Sequence, residues 1–166
     1  MIYELTDCFD VPASLEETWE FFSRADNLQQ ITPTWLDFHI VTPQPIRMRA
    51  GTIIDYRITW NRLPMRWRTN ITEWVSPRRF VDLQIRGPYV LWHHQHDFVR
   101  LKGGGTRCRD RVTYKPPFGP LGDMTHALII RRQLLGIFRH RRDAIAQVLG
   151  PVTPRQPDVR IQRLSR

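Results

Sequence analysis

The sequence predicts a single α+β domain in which a curved, seven-stranded antiparallel sheet wraps around a long C-terminal helix, with two short helices after the first strand. Two observations carry this prediction. Between residues 35 and 115, apolar side chains recur at every second position in six segments separated by short turns, which is typical of an antiparallel meander. Between residues 122 and 149 the apolar period changes to that of a helix.

The N-terminal region predicts the remaining strand and the two short helices. Residues 2–11 form a strand that is bounded by Pro12. The segment Ser14-Leu15-Glu16-Glu17 matches a capping box, with Ser14 as the N-cap and Glu17 as the third helical residue. A second short helix is expected over residues 26–31, because Thr32-Pro33 ends it.

The predicted C-terminal helix has an apolar stripe and a basic opposite side. Residues 131–132 and 139–142 are expected mostly on the basic side. Residues 151–166 contain three Pro and four Arg with little periodicity, which predicts a flexible tail after a domain that spans residues 1–150. The stripe consists of Met124, Leu128, Leu134, Leu135, Phe138, Ile145 and Val148.

Charge and cysteine content exclude several classes of protein. The net charge is +9, but the arginines are scattered along the chain, so no specific nucleic-acid surface is expected. Cys8 and Cys108 lie in strand-like segments and form no C-x-x-C motif, which argues against a disulfide framework or a zinc motif. Neither a leader peptide nor a membrane-spanning run is visible, so we expect a cytoplasmic protein. The oligomeric state stays open.

Three local strings resemble one protein family. They are Asn27-Leu28-x-x-Ile31-Thr32-Pro33, then Gly87-Pro88-Tyr89-x-x-Trp92-x-His94-x-His96-x-Phe98, and finally Gly105-Thr106 with Asp110-x-Val112-x-Tyr114-x-x-Pro117-x-Gly119. With the order of elements, they resemble the bacterial cyclase/dehydrase-like subgroup of the START-like, or polyketide cyclase-like (SRPBCC), superfamily. The resemblance implies a helix-grip fold, whose cavity would open near residues 31–33 and 119–124. That superfamily contains carriers, sensors and enzymes, so the resemblance does not fix an activity.

The strands around Gly103-Gly104-Gly105 indicate which polar side chains face the cavity. Four basic residues of the second strand share one face, which must therefore be in contact with water. Asp110 and Tyr114 then face inward. A three-residue glycine turn would place His94 opposite Tyr114 and His96 opposite Val112 on the inner face. The same register would place Phe98 opposite Asp110 and, on the outer face, Asp97 opposite Arg111. The preceding strand adds Asp82 and Gln84 to the inner face if Phe80 also points inward.

These inward faces define the predicted ligand-contacting set. The inner His and Asp residues can form a self-satisfied network, donate to a ligand, or act in general acid–base catalysis. A zinc site at His94, His96 and Asp110 is chemically possible, but the two-residue His spacing is a common coincidence, so no metal and no cofactor are expected. The sequence favours a carrier or sensor of a small apolar ligand, such as a lipid, quinone or polyketide; a cyclase or dehydratase is the alternative. The set is Tyr56, Trp60, Trp67, Trp92, His94, His96, Asp110, Tyr114 and Met124.

Overall fold

The computed structural model describes residues 1–60, 62–156 and 158–164. One long sheet, two short N-terminal helices and a long C-terminal helix make up the chain. The elements in order are β1 (Tyr3–Val11), α1 (Leu15–Phe22), α2 (Asn27–Gln30), a 3₁₀ turn (Thr34–Leu36), β2 (His39–Ile40), β3 (Ile53–Trp60), β4 (Leu63–Val75), β5 (Arg79–Arg86), β6 (Leu91–Arg100), β7 (Thr106–Lys115), α3 (Gly119–Thr125), a π-helical turn (His126–Ile130), α4 (Arg131–Leu149), β8 (Thr153–Pro154) and β9 (Arg160–Arg163).

The described strands form one antiparallel sheet in the order β2-β3-β4-β5-β6-β7-β1-β8, and β9 also pairs with β1. The meander therefore runs from β2 to β7, and the N-terminal strand returns to lie beside β7 along its whole length. The concave face packs against the C-terminal helix, as in the predicted helix-grip fold, which is confirmed. The capping box at the start of α1 is also present: Ser14 Oγ accepts from the Glu17 amide at 3.2 Å, and the Glu17 carboxylate accepts from the Ser14 amide at 2.8 Å.

Nine strands are described instead of the predicted seven, because the C-terminal segment adds β8 and β9; in addition, one predicted strand is shorter than expected. The strand expected after residue 35 is mostly replaced by the 3₁₀ turn, because Asp37 adopts a left-handed conformation (φ 44°), and only two residues pair with β3. At the other end of the chain, β8 and β9 pair with the edge of β1 that β7 leaves open. Gln156 donates to the Thr6 carbonyl at 2.7 Å, and residues 153–154 and 160–163 pair with β1 in a segment whose composition shows little periodicity.

The long helix runs without a break from Gly119 to Leu149, but its apolar stripe is only partly as predicted. Leu134, Phe138 and Ile145 are buried. Met124 and Leu128 are 58% and 70% exposed. The π-helical turn lies between α3 and α4 and has more residues per turn than an α-helix. The side chains of α3 are therefore rotated away from the positions that the α-helical period of α4 predicts. Val148, also predicted in the stripe, is exposed near the end of α4.

Two apolar clusters fix the helix on the sheet, and a third lies across the cavity from them. Ile145 and Leu149 pack with the first cluster, which includes Phe9, Trp19 and Phe98. Leu134 and Phe138 pack with the second, around Leu5, Trp92 and Val112. The third cluster, on β3 and β4, contains Ile54, Tyr56 and Ile71.

Candidate ligand-binding cavity

A cavity of about 640 Å³ lies between the inner face of β3–β6 and the long helix. Its wall is mainly apolar and aromatic. Trp67 meets Trp92 edge-on, with ring centroids 5.2 Å apart, and Trp60 donates its indole N–H to the Gln133 side chain. Six residues of the predicted set lie on the wall: Tyr56, Trp60, Trp67, Trp92, His94 and His96.

The cavity reaches the surface near the expected opening. Ile31, Thr32 and Gly122 belong to the wall, together with Phe118 at the start of α3. Phe118 is 81% exposed and has a left-handed backbone (φ 67°). A large apolar side chain that is both part of the wall and exposed marks the point where the cavity opens to solvent.

Three residues of the predicted set do not reach the wall. Met124 points to solvent, because the π-helical turn rotates its half of the helix outward. Tyr114 is fully buried in the sheet, and its hydroxyl lies 2.7 Å from Nε2 of His126. Asp110 is 4% exposed and lies behind the two histidines instead of beside the cavity.

The predicted pairing of β6 with β7 is wrong by two residues. His96 lies opposite Asp110, His94 opposite Val112, and Phe98 opposite Cys108. Arg100 lies opposite Thr106, and the Leu101 amide donates to the Gly105 carbonyl at 3.1 Å, so the turn is centred on Gly103 instead of Gly104. A shift of two keeps every side chain on its face, so the inward assignment still holds.

On the outer face, the same shift removes the predicted Asp97–Arg111 pair. Asp97 lies opposite Arg109 across the ladder and forms its ion pair with Arg79 of β5 at 2.5 Å. The nearest carboxylate oxygen to Arg111 belongs to Glu4 of β1, at 3.8 Å. Each of these charges thus pairs with the strand on its other side.

Two histidines and two aspartates form a compact centre at one end of the cavity. Asp110 Oδ1 lies 3.1 Å from Nε2 of His94 and 2.6 Å from Nδ1 of His96, although the second contact lacks the direction of a hydrogen bond. Asp82 Oδ2 lies 3.3 Å from Nε2 of His96 and 3.6 Å from Nδ1 of His94. Each carboxylate therefore contacts both imidazoles, and Asp82 joins the inner face as the alternation from Phe80 suggested.

The environment gives the two imidazoles different protonation behaviour. Burial, together with the charge of His96, lowers the pKa of His94 to about 4, despite its contact with Asp110. Burial also opposes a charge on His96, but the Asp110 and Asp82 carboxylates outweigh it and raise the pKa of His96. Burial would raise the pKa of Asp110, but Arg141 and His96 outweigh it and hold that pKa well below its usual range. The centre thus favours one imidazolium, on His96, between two carboxylates.

Two arginines of α4 also point inward, although the sequence pattern predicts them mostly on the outer side. Arg142 forms an ion pair with Asp7 of β1, and Asp7 lies opposite Asp110 across the β1–β7 ladder. Arg141 is buried and belongs to the cavity wall. The signal was available: Arg141 follows Phe138 by three residues and precedes Ile145 by four, which puts it within the apolar stripe.

His126, on the π-helical turn, was also missed. Its ring stacks on Tyr3 with centroids 3.6 Å apart, and it shares a hydrogen bond with Tyr114. Burial lowers its pKa, and the charge of Arg131 acts in the same direction. No periodicity argument would have placed His126 inward, because its orientation depends on the π-helical winding.

The centre also has a donor set that a metal ion could use. One donor atom each of Asp82, His94 and His96 lie within 4.8 Å of one another, and two imidazoles with one carboxylate suit zinc. Asp82 takes the third position here, where the sequence suggested Asp110. The positive charge of Arg141 acts on this same group of side chains and opposes a second cation there.

Comparison with known proteins agrees with this architecture. A family model described as polyketide cyclase/dehydrase and lipid transport matches residues 11–134. The chain belongs to this family. No curated protein gives a significant match to the sequence.

Solved structures show the same family fold at low sequence identity. The protein TTHA0849 from Thermus thermophilus is 17% identical, with a TM-score of 0.65 over 88% of this chain and 96% of its own. A START superfamily protein from Mycobacterium smegmatis is 12% identical, with a TM-score of 0.64 over 89% of this chain and 97% of its own. At these identities the likeness establishes the helix-grip fold of the family and nothing finer.

A helix that spans a membrane must be both long and strongly apolar. Among the described residues, no helix is long enough and apolar enough to cross a bilayer.

Proposed function

We propose that this polyketide cyclase/dehydrase-family domain binds a small, largely apolar ligand in its cavity and acts as a carrier or sensor of that ligand. Lipids, quinones and polyketide-like aromatics fit the wall chemistry. The observation that carries the proposal is the cavity itself: about 640 Å³, walled mainly by apolar and aromatic side chains, and open beside Phe118. Residues 1–150 would form the binding unit, and the cytoplasm is its proposed location, in keeping with two free cysteines.

The arrangement of the His–Asp centre favours binding over catalysis. Each imidazole has both nitrogens beside carboxylate oxygens, at 2.6–3.6 Å, and its Nε2 is hydrogen-bonded to one of those oxygens. A general base needs a free nitrogen directed at its substrate. The alternative, a cyclase or dehydratase, keeps one supporting observation, which is that His94 and His96 are both on the cavity wall.

The basic character of the chain does not point to a nucleic-acid partner. Arg107 pairs with Asp10 at 2.8 Å, and Arg68 pairs with Asp55 at the same distance. Arg142 and Arg139 likewise have carboxylate partners, Asp7 and Asp158. Arginines that are engaged within the fold contribute less to a phosphate-binding surface, so we propose that duplex DNA binding is weak and strongly salt-dependent.

Native mass spectrometry of gently purified protein tests the proposal first, because a retained ligand would appear as added mass. Titration with a quinone, a flavonoid and a fatty acid, followed by Trp fluorescence, tests it directly, since three tryptophans lie on the wall. Trp67→Ala is expected to weaken binding about 10-fold, from the loss of one aromatic contact. Trp35→Ala is the matched control, because Trp35 is 50% exposed on the 3₁₀ turn.

The two candidate functions give different results with a bound ligand. A carrier or sensor returns the ligand unchanged, whereas a dehydratase returns it with one water lost and a cyclase returns an isomer. Mass spectrometry and chromatography of the extracted ligand distinguish these cases. Turnover that His94→Ala abolishes while binding persists would establish the enzyme. Flat fluorescence responses to all three ligand classes would count against the carrier.

A further inference from the structure

Arg141 is the one charged residue within the buried stripe of α4. It is 9% exposed and lies on the same helix face as Leu134, Phe138 and Ile145. A guanidinium stays protonated under all ordinary conditions, so this position holds a permanent positive charge where the helix pattern calls for an apolar side chain. Burial of such a charge is costly unless hydrogen bonds and an opposite charge offset it.

The surroundings of Arg141 provide little direct compensation. The guanidinium carbon lies 5.9 Å from the ring centre of Phe22 and 5.7 Å from that of Phe138. Its Nε has no hydrogen-bond partner, and the guanidinium forms no ion pair with any residue that the structure describes. The neighbouring arginines differ, since Arg139 pairs with Asp158 and Arg142 with Asp7.

The two carboxylates on which the charge of Arg141 acts are already engaged with the histidines. Asp82 and Asp110 each contact both imidazoles of the His–Asp centre. Arg141 influences both carboxylates through space, but it makes no direct contact with either of them. Its donors therefore remain available at the edge of the cavity, where Arg141 forms part of the wall.

We propose that Arg141 is the polar anchor of the cavity and binds the carboxylate of an amphipathic monocarboxylic acid. The planar guanidinium can hold both carboxylate oxygens, and the aromatic rings beside it exclude water from that pair. The apolar body of the acid would extend along Trp67 and Trp92 toward the opening at Phe118. This inference rests on the proposed function and narrows its ligand to acids.

A matched pair of ligands tests the anchor. Dodecanoate and methyl dodecanoate have the same apolar chain, but only the first carries a charge. Wild-type protein is expected to bind dodecanoate about 10- to 100-fold more tightly, which is the range for charge-assisted hydrogen bonds in a buried site. Trp fluorescence or calorimetry measures both affinities.

Substitutions then assign the preference to Arg141. Arg141→Met keeps much of the side-chain length and should remove the preference for the acid while leaving the affinity for the ester nearly unchanged. Arg141→Lys keeps the charge without the two-pronged geometry and should retain part of the preference, which provides a second variant if Arg141→Met folds poorly. Arg139→Met is the control, because it removes the same charge from an exposed position.

The possible results separate this inference from the proposed function. Equal binding of acid and ester by wild-type protein would overturn the anchor and leave apolar binding intact. Preference for the acid that survives Arg141→Met would also overturn it. If neither ligand binds, while quinones and flavonoids also fail, the proposed function itself is refuted.

Discussion

Replacement of Asp110 by Asn should test whether the His–Asp centre holds the fold together. Asp110 is 4% exposed and lies 3.1 Å from His94 and 2.6 Å from His96, with the charge of Arg141 acting on it. Loss of one member of a buried charge pair costs about 3–5 kcal/mol. Asn keeps the shape and one acceptor oxygen, so we expect the lower end, about 3 kcal/mol of unfolding free energy. For a chain of this size that corresponds to a fall in Tm of roughly 6–12 °C.

Urea denaturation and thermal unfolding, each followed by far-UV circular dichroism, measure the effect. Asp55→Asn is the matched control: Asp55 also pairs with an arginine, Arg68 at 2.8 Å, but both side chains are exposed. We expect the control to unfold close to the wild type. If Asp110→Asn and Asp55→Asn lower the free energy of unfolding equally, the buried His–Asp centre stabilises the fold no more than an exposed ion pair does, and the reasoning from its burial is wrong.

The remaining predictions concern protonation, the β6–β7 turn and the C-terminal strands. The pKa of His94 is lowered to about 4 in the folded protein, so as the pH falls, the unfolded chain binds this proton before the folded form does. The free energy of unfolding therefore decreases between pH 6.5 and pH 4, by about 3 kcal/mol in total. His96 has the opposite sign: its contribution is full below pH 6.5 and disappears as pH rises through its raised pKa. Imidazole ¹⁵N shifts at pH 6 should therefore show a neutral His94 and a charged His96, and two identical titrations would refute this. Gly105→Ala should destabilise by about 2 kcal/mol or more, since Gly105 has φ +80° and an added Cβ would lie 2.4 Å from the Val11 carbonyl, whereas Gly103→Ala meets no neighbour and should be nearly neutral in the same denaturation assay. Val159→Ala should cost about 2 kcal/mol, because Val159 is buried against the sheet beside β9, while Val41→Ala at an exposed position should cost little; equal losses would mean that the C-terminal segment does not pack as described.

The sequence predicted which face of the sheet each side chain lies on better than it predicted which residues lie opposite each other on β6 and β7. Side-chain alternation has a period of two, so the inward assignment of His94, His96 and Asp110 needed only the polarity of one strand. Their partners across the ladder depend on which residue lies at the centre of the turn, and three consecutive glycines do not specify that residue. The predicted register of β6 and β7 is therefore wrong by two residues, although His94, His96 and Asp110 lie on the predicted face.

The long helix shows why periodicity alone could not complete the site. A constant period of 3.6 residues predicts Met124 on the side of Phe138, but one π-helical turn changes the phase between Met124 and α4. His126 enters the interior by the same change. Arg141 was missed for a different reason: its spacing from Phe138 and Ile145 puts it within the apolar stripe, but its charge argued against burial.

Residues behind the cavity wall stabilise the His–Asp centre, whereas residues on the wall can contact a ligand. Asp110 lies behind the wall and contacts both imidazoles, so its substitution acts on folding first and on binding only through their orientation. His94 and Arg141 are on the wall, and a change there alters what the cavity presents to a ligand. Asp110 and Asp82 both contact the two imidazoles, so neither carboxylate pairs with Arg141 among the described residues, and the donors of its guanidinium remain available. Because the buried carboxylates pair with the imidazoles, the Arg141 guanidinium is available to bind the carboxylate of a ligand.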